Sequence, residues 1–330
     1  MSVVARLDRF QQRHPKVGLP LAVIYKFIDD QGGYLAALIT YYGFLSLFPL
    51  LLILNTVLNF VLADDPELQQ RVLDSALGQF PVVGAQLANP ENIGGSGVAL
   101  AIGVLGTLYG GLGVAQAAQH AMNTIWRVPR NARPNPLAGR LRGLLLLVVV
   151  GLAIAGTTVL SALGLTAGSF GAQIGSGLGA LLVLTSMAVN AGVFMLGFRV
   201  ATARALTWRQ NIRGAIAAAI AWQVLQYFGV TYVGHIVKHS SVAGSVFALV
   251  LGLMAWIYLE AVIVVFAVEY NAVRGLKLWP RALLTPFTDD VELTPADEAA
   301  YTLQAKGERS KGFQQIDVTF DPPDDDRSPG

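Results

Sequence analysis

The chain contains no cysteine. Disulfide staples are excluded, and so is any thiolate acting as nucleophile or metal ligand. Charge is scarce as well. Only 13% of the 330 residues are Asp, Glu, Lys or Arg, against about 25% in an ordinary soluble domain. The four histidines are scattered, whereas a zinc site usually needs at least three protein ligands. No Gly-x-x-x-x-Gly-Lys-Ser/Thr run is present, so nothing marks an ATP-driven machine. The net charge of +2 gives no global case for nucleic-acid binding.

What fills the chain instead is apolar. Hydrophobic residues make up 54%, and the mean hydropathy is +0.53. These values describe an all-α polytopic membrane protein. Residues 34–63 carry no charge. As a helix they would extend roughly 45 Å, more than the ~30 Å hydrocarbon core requires. They read as a first transmembrane helix, tilted or kinked at Pro49. Further spans are expected at about 98–124, 143–166, 176–198, 214–234 and 242–268. No cleavable signal peptide is expected, because the first apolar run is too long for one.

The basic residues orient these spans. Counted by connecting segment from the N-terminus, Lys and Arg number five, one, five, none, four, one and seven. High and low values alternate at each crossing. The positive-inside rule then predicts six spans with both termini cytoplasmic. Residues 1–33 form a basic segment with helical apolar spacing at Val3, Leu7, Phe10 and at Leu21, Ile24, Ile28. Two short amphipathic helices fit this pattern, either on the membrane surface or packed on the bundle's cytoplasmic ends. Residues 34–284 form the transmembrane domain. From 285 to 330 the chain turns acidic and proline-broken, which predicts a largely disordered cytoplasmic tail. A further short amphipathic helix is expected outside the membrane at about 68–80.

Several separated motifs carry a resemblance. They are Ala37-Leu-Ile-Thr-Tyr-Tyr-Gly-Phe-Leu-Ser-Leu-Phe-Pro-Leu50, Asn123-Thr-Ile-Trp-Arg-Val-Pro129 and Trp208-Arg-Gln-Asn-Ile-Arg-Gly-Ala215. Gly244-Ser-Val-Phe-Ala-Leu-Val-Leu-Gly-Leu-Met-Ala-Trp-Ile-Tyr-Leu259 and Glu269-Tyr-Asn-Ala272 follow in the same order. Over about residues 20–280 the chain resembles the YihY/BrkB family of bacterial inner-membrane proteins. The resemblance implies six transmembrane helices and an inner-membrane location. The family has carried a ribonuclease label, a virulence label and suggestions of lipid export, and the resemblance brings no catalytic residues with it.

Polar groups inside a membrane bundle must face protein or a watery cavity. On the fifth span, Gln223, Gln226, Tyr227 and Thr231 form a stripe, read either as a cavity lining or as plain helix packing. On the second span, Tyr109, Gly113, Gln116 and His120 share a face. Glu260 lies inside the sixth span. It reads as a proton-carrying group, as a neutral acid bonded to a neighbouring helix, or as the partner of an arginine such as Arg199. The resembled family typically has a small residue near that position, which counts against a family-wide role. Ser46 and Pro49 are expected to shape a kink. Glu269 and Asn271 are expected to anchor the cytoplasmic boundary, Glu269 by pairing with Arg199, Arg204 or Arg213.

These residues point to passage of an amphipathic envelope or lipid component through the membrane, without enzymatic chemistry, metal or cofactor. The alternative is a membrane scaffold for envelope integrity. The expected partners are membrane lipids and a cytoplasmic protein recruited by the acidic tail, with no nucleic acid.

Overall fold

The computed structural model describes residues 3–61, 97–169, 176–236 and 245–320, except 286, 289 and 290. Every element is helical among the described residues. Two short helices open the chain, α1 (Val3–Arg13) and α2 (Pro15–Asp29). Six long helices follow: α3 (Gly32–Val61), α4 (Gly97–Ile125), α5 (Pro136–Ser169), α6 (Ser176–Ala201), α7 (Trp208–Ile236) and α8 (Ser245–Leu276). A single 3₁₀ turn, Arg130–Ala132, separates α4 from α5. The last helix is α9 (Pro295–Gly307). The expected amphipathic helix at 68–80 lies outside the described residues.

The outward faces explain the composition. Along α7, Ile212, Ile216, Ile220, Val224 and Phe228 are all exposed, and Leu141, Leu145, Val148 and Leu152 do the same on α5. A soluble protein rarely leaves continuous apolar stripes in water. Such stripes are consistent with a membrane-embedded surface. Two stretches among the described residues are long and apolar enough to cross a membrane, Leu184–Ala201 and Val250–Leu276. Their mean hydropathies are 1.4 and 2.3. Gly32–Leu47 is a shorter apolar stretch.

Small residues gather at the helix contacts, as in membrane bundles, where close packing holds helices together. The most extensive contact is α3 on α4. A Cβ on Gly110 would lie 2.7 Å from the Cα of Ser46, so only glycine allows these two backbones to meet. Helix α3 runs through Pro49 without interruption; the side chain of Pro49 lies outside the described residues. Ser46 donates to the carbonyl of Gly43 at 2.9 Å, an internal bond of the kind that bends helices slightly.

Helix α8 is the hub. It packs against α2, α3, α4 and α7. Its inner face places Leu253, Ala261, Val265, Val268 and Ala272 out of contact with solvent. A Cβ on Gly214 of α7 would sit 2.3 Å from the carbonyl oxygen of Ala267 and 2.4 Å from the amide nitrogen of Asn271. Glycine at 214 is therefore the condition for α7 and α8 to touch.

Two expectations meet different outcomes at the ends of the chain. Helix α2 packs on the bundle rather than lying flat, with Ala22, Val23, Tyr25 and Lys26 buried while Val17, Ile24 and Ile28 stay exposed. The segment after 285, expected to be largely disordered, contains α9. Thr294 accepts from the backbone of Asp297, and the Asp297 carboxylate accepts from the backbone of Thr294. This reciprocal capping box, with Pro295 in the first turn, starts a helix in an otherwise acidic, polar stretch.

Candidate functional site

One end of the bundle holds a set of buried charges. Lys26 of α2 pairs with Asp30 one turn on, a contact set by i,i+4 spacing. Its ammonium also lies 3.0 Å from Glu269 of α8. Arg127, just after α4, reaches Asp30 at 2.5 Å. Two cations and two carboxylates thus neutralise one another where α2, α4 and α8 meet. Arg127 adopts φ 53, a left-handed backbone that turns its side chain back toward Asp30. Glu269 and the Asp30 carboxylate have no solvent exposure, and the Lys26 side chain is 2% exposed. Isolated charges would be untenable there, and the pairing is what permits them.

This placement corrects the expected partner of Glu269. Arg199 instead lies over the ring of Trp208, and Arg204 over Trp126. The reason is tertiary. Helix α2 packs on α8 and brings an ammonium to Glu269 from a distant part of the chain. Asn271 does tie elements together. Its Oδ1 accepts from the Gly214 backbone at 2.7 Å, and its Nδ2 donates to the carbonyl and side-chain oxygens of Asn211 at 3.0 and 3.2 Å.

A second ionic group fastens the C-terminal segment. Arg281 donates to Asp29 at 2.5 Å and to Asp297 at 2.7 Å. Burial disfavours the Arg281 charge, but Asp29 and Asp297 outweigh it and hold the guanidinium above the usual arginine value. The same guanidinium lies near the rings of Tyr25 and Tyr301. Tyr25 donates to the carbonyl of Leu283, and Asp8 accepts from the backbone of Leu283. Helices α1, α2 and α9 are thereby bound into one layer.

Beside this layer, a groove of about 510 Å³ opens on the face where α3, α4 and the start of α5 meet. Its polar lining is Tyr42, Tyr109, Gln116, His120 and Arg140, and its apolar wall includes Leu38, Leu112 and Ala117. Gly113 sits against the ring of Tyr42. At the groove's edge, Arg133 approaches the Nδ1 of His120 at 3.4 Å and is steadied by the carbonyl of Val128 at 3.2 Å. Burial, and then the like charge of Arg130, hold Arg133 below the usual arginine value. The helical spacing of Tyr109, Gly113, Gln116 and His120 places all four at this groove. Tyr42 and Arg140 come from other elements, so only the fold could add them.

The remaining sequence candidates sit elsewhere. None of Gln223, Gln226, Tyr227 or Glu260 lines the groove. Gln223 and Gln226 are half-buried on α7, whereas Tyr227 is 72% exposed and packs edge-on to Phe228. The side chain of Thr231 lies outside the described residues. Glu260 is half-buried, and its Oε1 is shielded from solvent without a hydrogen-bond partner among the described residues. Arg199 does not pair with it. Gly214 packs on Asn271 and Gly229 packs on Trp256, so the antiparallel register sets Gln226 at about the level of Glu260. Gln116 and His120 thus lie at the groove, while Gln226 and Glu260 lie at about one level of the paired helices α7 and α8.

Lys26, Asp30, Arg127, Arg281 and Asp297 were not singled out by sequence reasoning. Two of their signals were nonetheless local: Lys26 and Asp30 at i,i+4, and Thr294 with Asp297 as a capping pair.

The family model described as Virulence factor BrkB matches residues 23–282. The chain is 28% identical over 296 residues to Inner membrane protein YhjD of Escherichia coli (strain K12), covering 82% of this chain and 85% of that protein. It is 25% identical over 274 residues to UPF0761 membrane protein Nmul_A0452 of Nitrosospira multiformis, covering 78% of this chain and 60% of that protein. No solved structure matches the chain.

Proposed function

The chain belongs to the virulence factor BrkB family of membrane proteins, and from that premise we propose that it moves an amphipathic envelope or lipid component across the bacterial inner membrane. One of the two relatives is named an inner membrane protein, which supports that location. The six long helices are six crossings in this reading, with both termini cytoplasmic, as the alternation of basic loops requires.

The groove carries the proposal. An amphipathic molecule needs a polar strip for its headgroup beside an apolar surface for its chains. Tyr42, Gln116, His120 and Arg140 supply the first, and Leu38 and Leu112 supply part of the second. Glu260 with Gln223 and Gln226 forms a second polar station, at the α7–α8 seam. No covalent step is involved, so the protein acts by lowering the cost of carrying a polar group past hydrocarbon. With no P-loop, movement is passive or driven by a gradient.

The test is lipid scrambling in proteoliposomes containing the purified full chain. Reconstituted protein should move labelled lipid between leaflets. Gln116→Leu should slow that movement severalfold, and Glu260→Gln should alter its response to an imposed proton gradient. Absence of movement under every gradient would refute the reading. A scaffold role is the second reading. It is favoured by the extended segment after α9, where Phe313 is 91% exposed, and it would recruit a cytoplasmic protein partner.

A further inference from the structure

We infer that the mouth of the groove binds the phosphate-bearing headgroup of an anionic membrane lipid, and that Glu308, just beyond α9, competes within the molecule by holding Arg130, the neighbouring arginine. The inference rests on the transport reading for its biological sense, but its binding chemistry stands apart from transport.

The observations are these. Arg130, Arg133 and Arg140 crowd one short stretch at the groove's edge. Arg140 lines the groove, and Arg133 reaches His120, which also lines it. Among the described residues, neither Arg133 nor Arg140 has a carboxylate within ion-pair distance. Arg127, by contrast, is committed to buried Asp30. The site therefore holds positive charge that no described carboxylate pairs with, next to hydroxyl, amide and imidazole groups able to bond phosphate oxygens. Its apolar wall of Leu38, Leu112 and Ala117 suits a lipid better than a soluble phosphate.

Glu308 enters from the other side. It pairs with Arg130 at 2.6 Å, with both side chains largely exposed, at 58% and 63%. The backbone of Asn131 donates to the carbonyl of Arg309 at 3.0 Å, and Arg127 reaches Gln304 at 3.5 Å. The C-terminal segment thus lies against the basic turn. Its two fastenings differ in kind. At the start of α9, Asp297 is buried against Arg281, and breaking that pair is costly. At the far end, the Arg130–Glu308 pair is exposed and weak. A headgroup can displace the weak end while the strong end keeps α9 docked.

Binding is read by titrating the purified full chain in detergent with short-chain phosphatidylglycerol, and separately with phosphatidylcholine. Phosphatidylglycerol should bind about tenfold more tightly, and Arg140→Gln should remove most of that preference. Glu308→Gln should tighten phosphatidylglycerol binding by about two- to fivefold, the weight of one exposed pair. That gain should shrink in high salt. Phosphatidylcholine, whose choline offsets its phosphate charge, should respond less than phosphatidylglycerol to either substitution. Equal affinity for the two lipids, or a preference untouched by Arg140→Gln, would overturn the site. An unchanged affinity in Glu308→Gln would overturn the competition. Glycerol phosphate competing as well as the lipid would overturn the lipid assignment. Scrambling without headgroup preference defeats this inference alone, whereas selective binding without scrambling defeats only the transport reading.

Discussion

Asn271 and Glu269 occupy neighbouring positions in α8 and do different work. Asn271 spends its carboxamide on three bonds to α7. Asn271→Ala should remove these three bonds from a tight, buried contact and cost about 1–3 kcal/mol, read as a lower melting temperature in detergent. Gly214→Ala should destabilise by a similar amount for a steric reason, since its Cβ would strike backbone oxygen. Glu269 is part of a balanced set. Lys26→Met removes the cation that faces both carboxylates and should cost about 3–5 kcal/mol. The double variant Lys26→Met with Glu269→Leu leaves Arg127 and Asp30 paired and should recover most of the loss. A double variant as unstable as the single one would show that the pair has no compensating partner.

At the scale of elements, α9 is the informative case. It is a helix of 13 residues, too short to be stable alone in water. Its order comes from the capping box and from Asp297 against Arg281. Asp297→Ala removes both at once. Hydrogen exchange should then show α9 losing protection while α3 to α8 keep theirs, and limited proteolysis should cut near residue 300. Helix α2 behaves differently, because its Lys26 pairs with Glu269 of α8 and its Asp29 pairs with Arg281. Loosening α2 should therefore loosen the whole end of the bundle.

At the scale of the molecule, the apolar outward stripes and the buried ionic layer invert the usual order of a protein in water. The absence of cysteine makes orientation easy to measure. Single cysteines placed at Ser75 and Ser310 should answer an impermeant maleimide differently. Ser75 should label in intact cells, and Ser310 only after the membrane is opened. The reverse pattern would overturn the topology.

The amino-acid sequence by itself determined the membrane class, the approximate positions of six long helices and the family. Lipid imposes one strong condition, a long uncharged run, and such runs are visible in one dimension. The face shared by Gln116 and His120 was legible for the same reason, since helical spacing is local. The partner of Glu269 was not. Lys26 lies far from it in sequence, and only the docking of α2 on α8 decides which cation arrives. The groove is a similar case, because Tyr42 and Arg140 join it from α3 and α5. The helix at Pro295–Gly307 lay between the two. Its cap was written locally in Thr294 and Asp297, but Arg281 supplies a charge that no composition count reveals. Buried charges need partners, and the partners are chosen by packing in three dimensions.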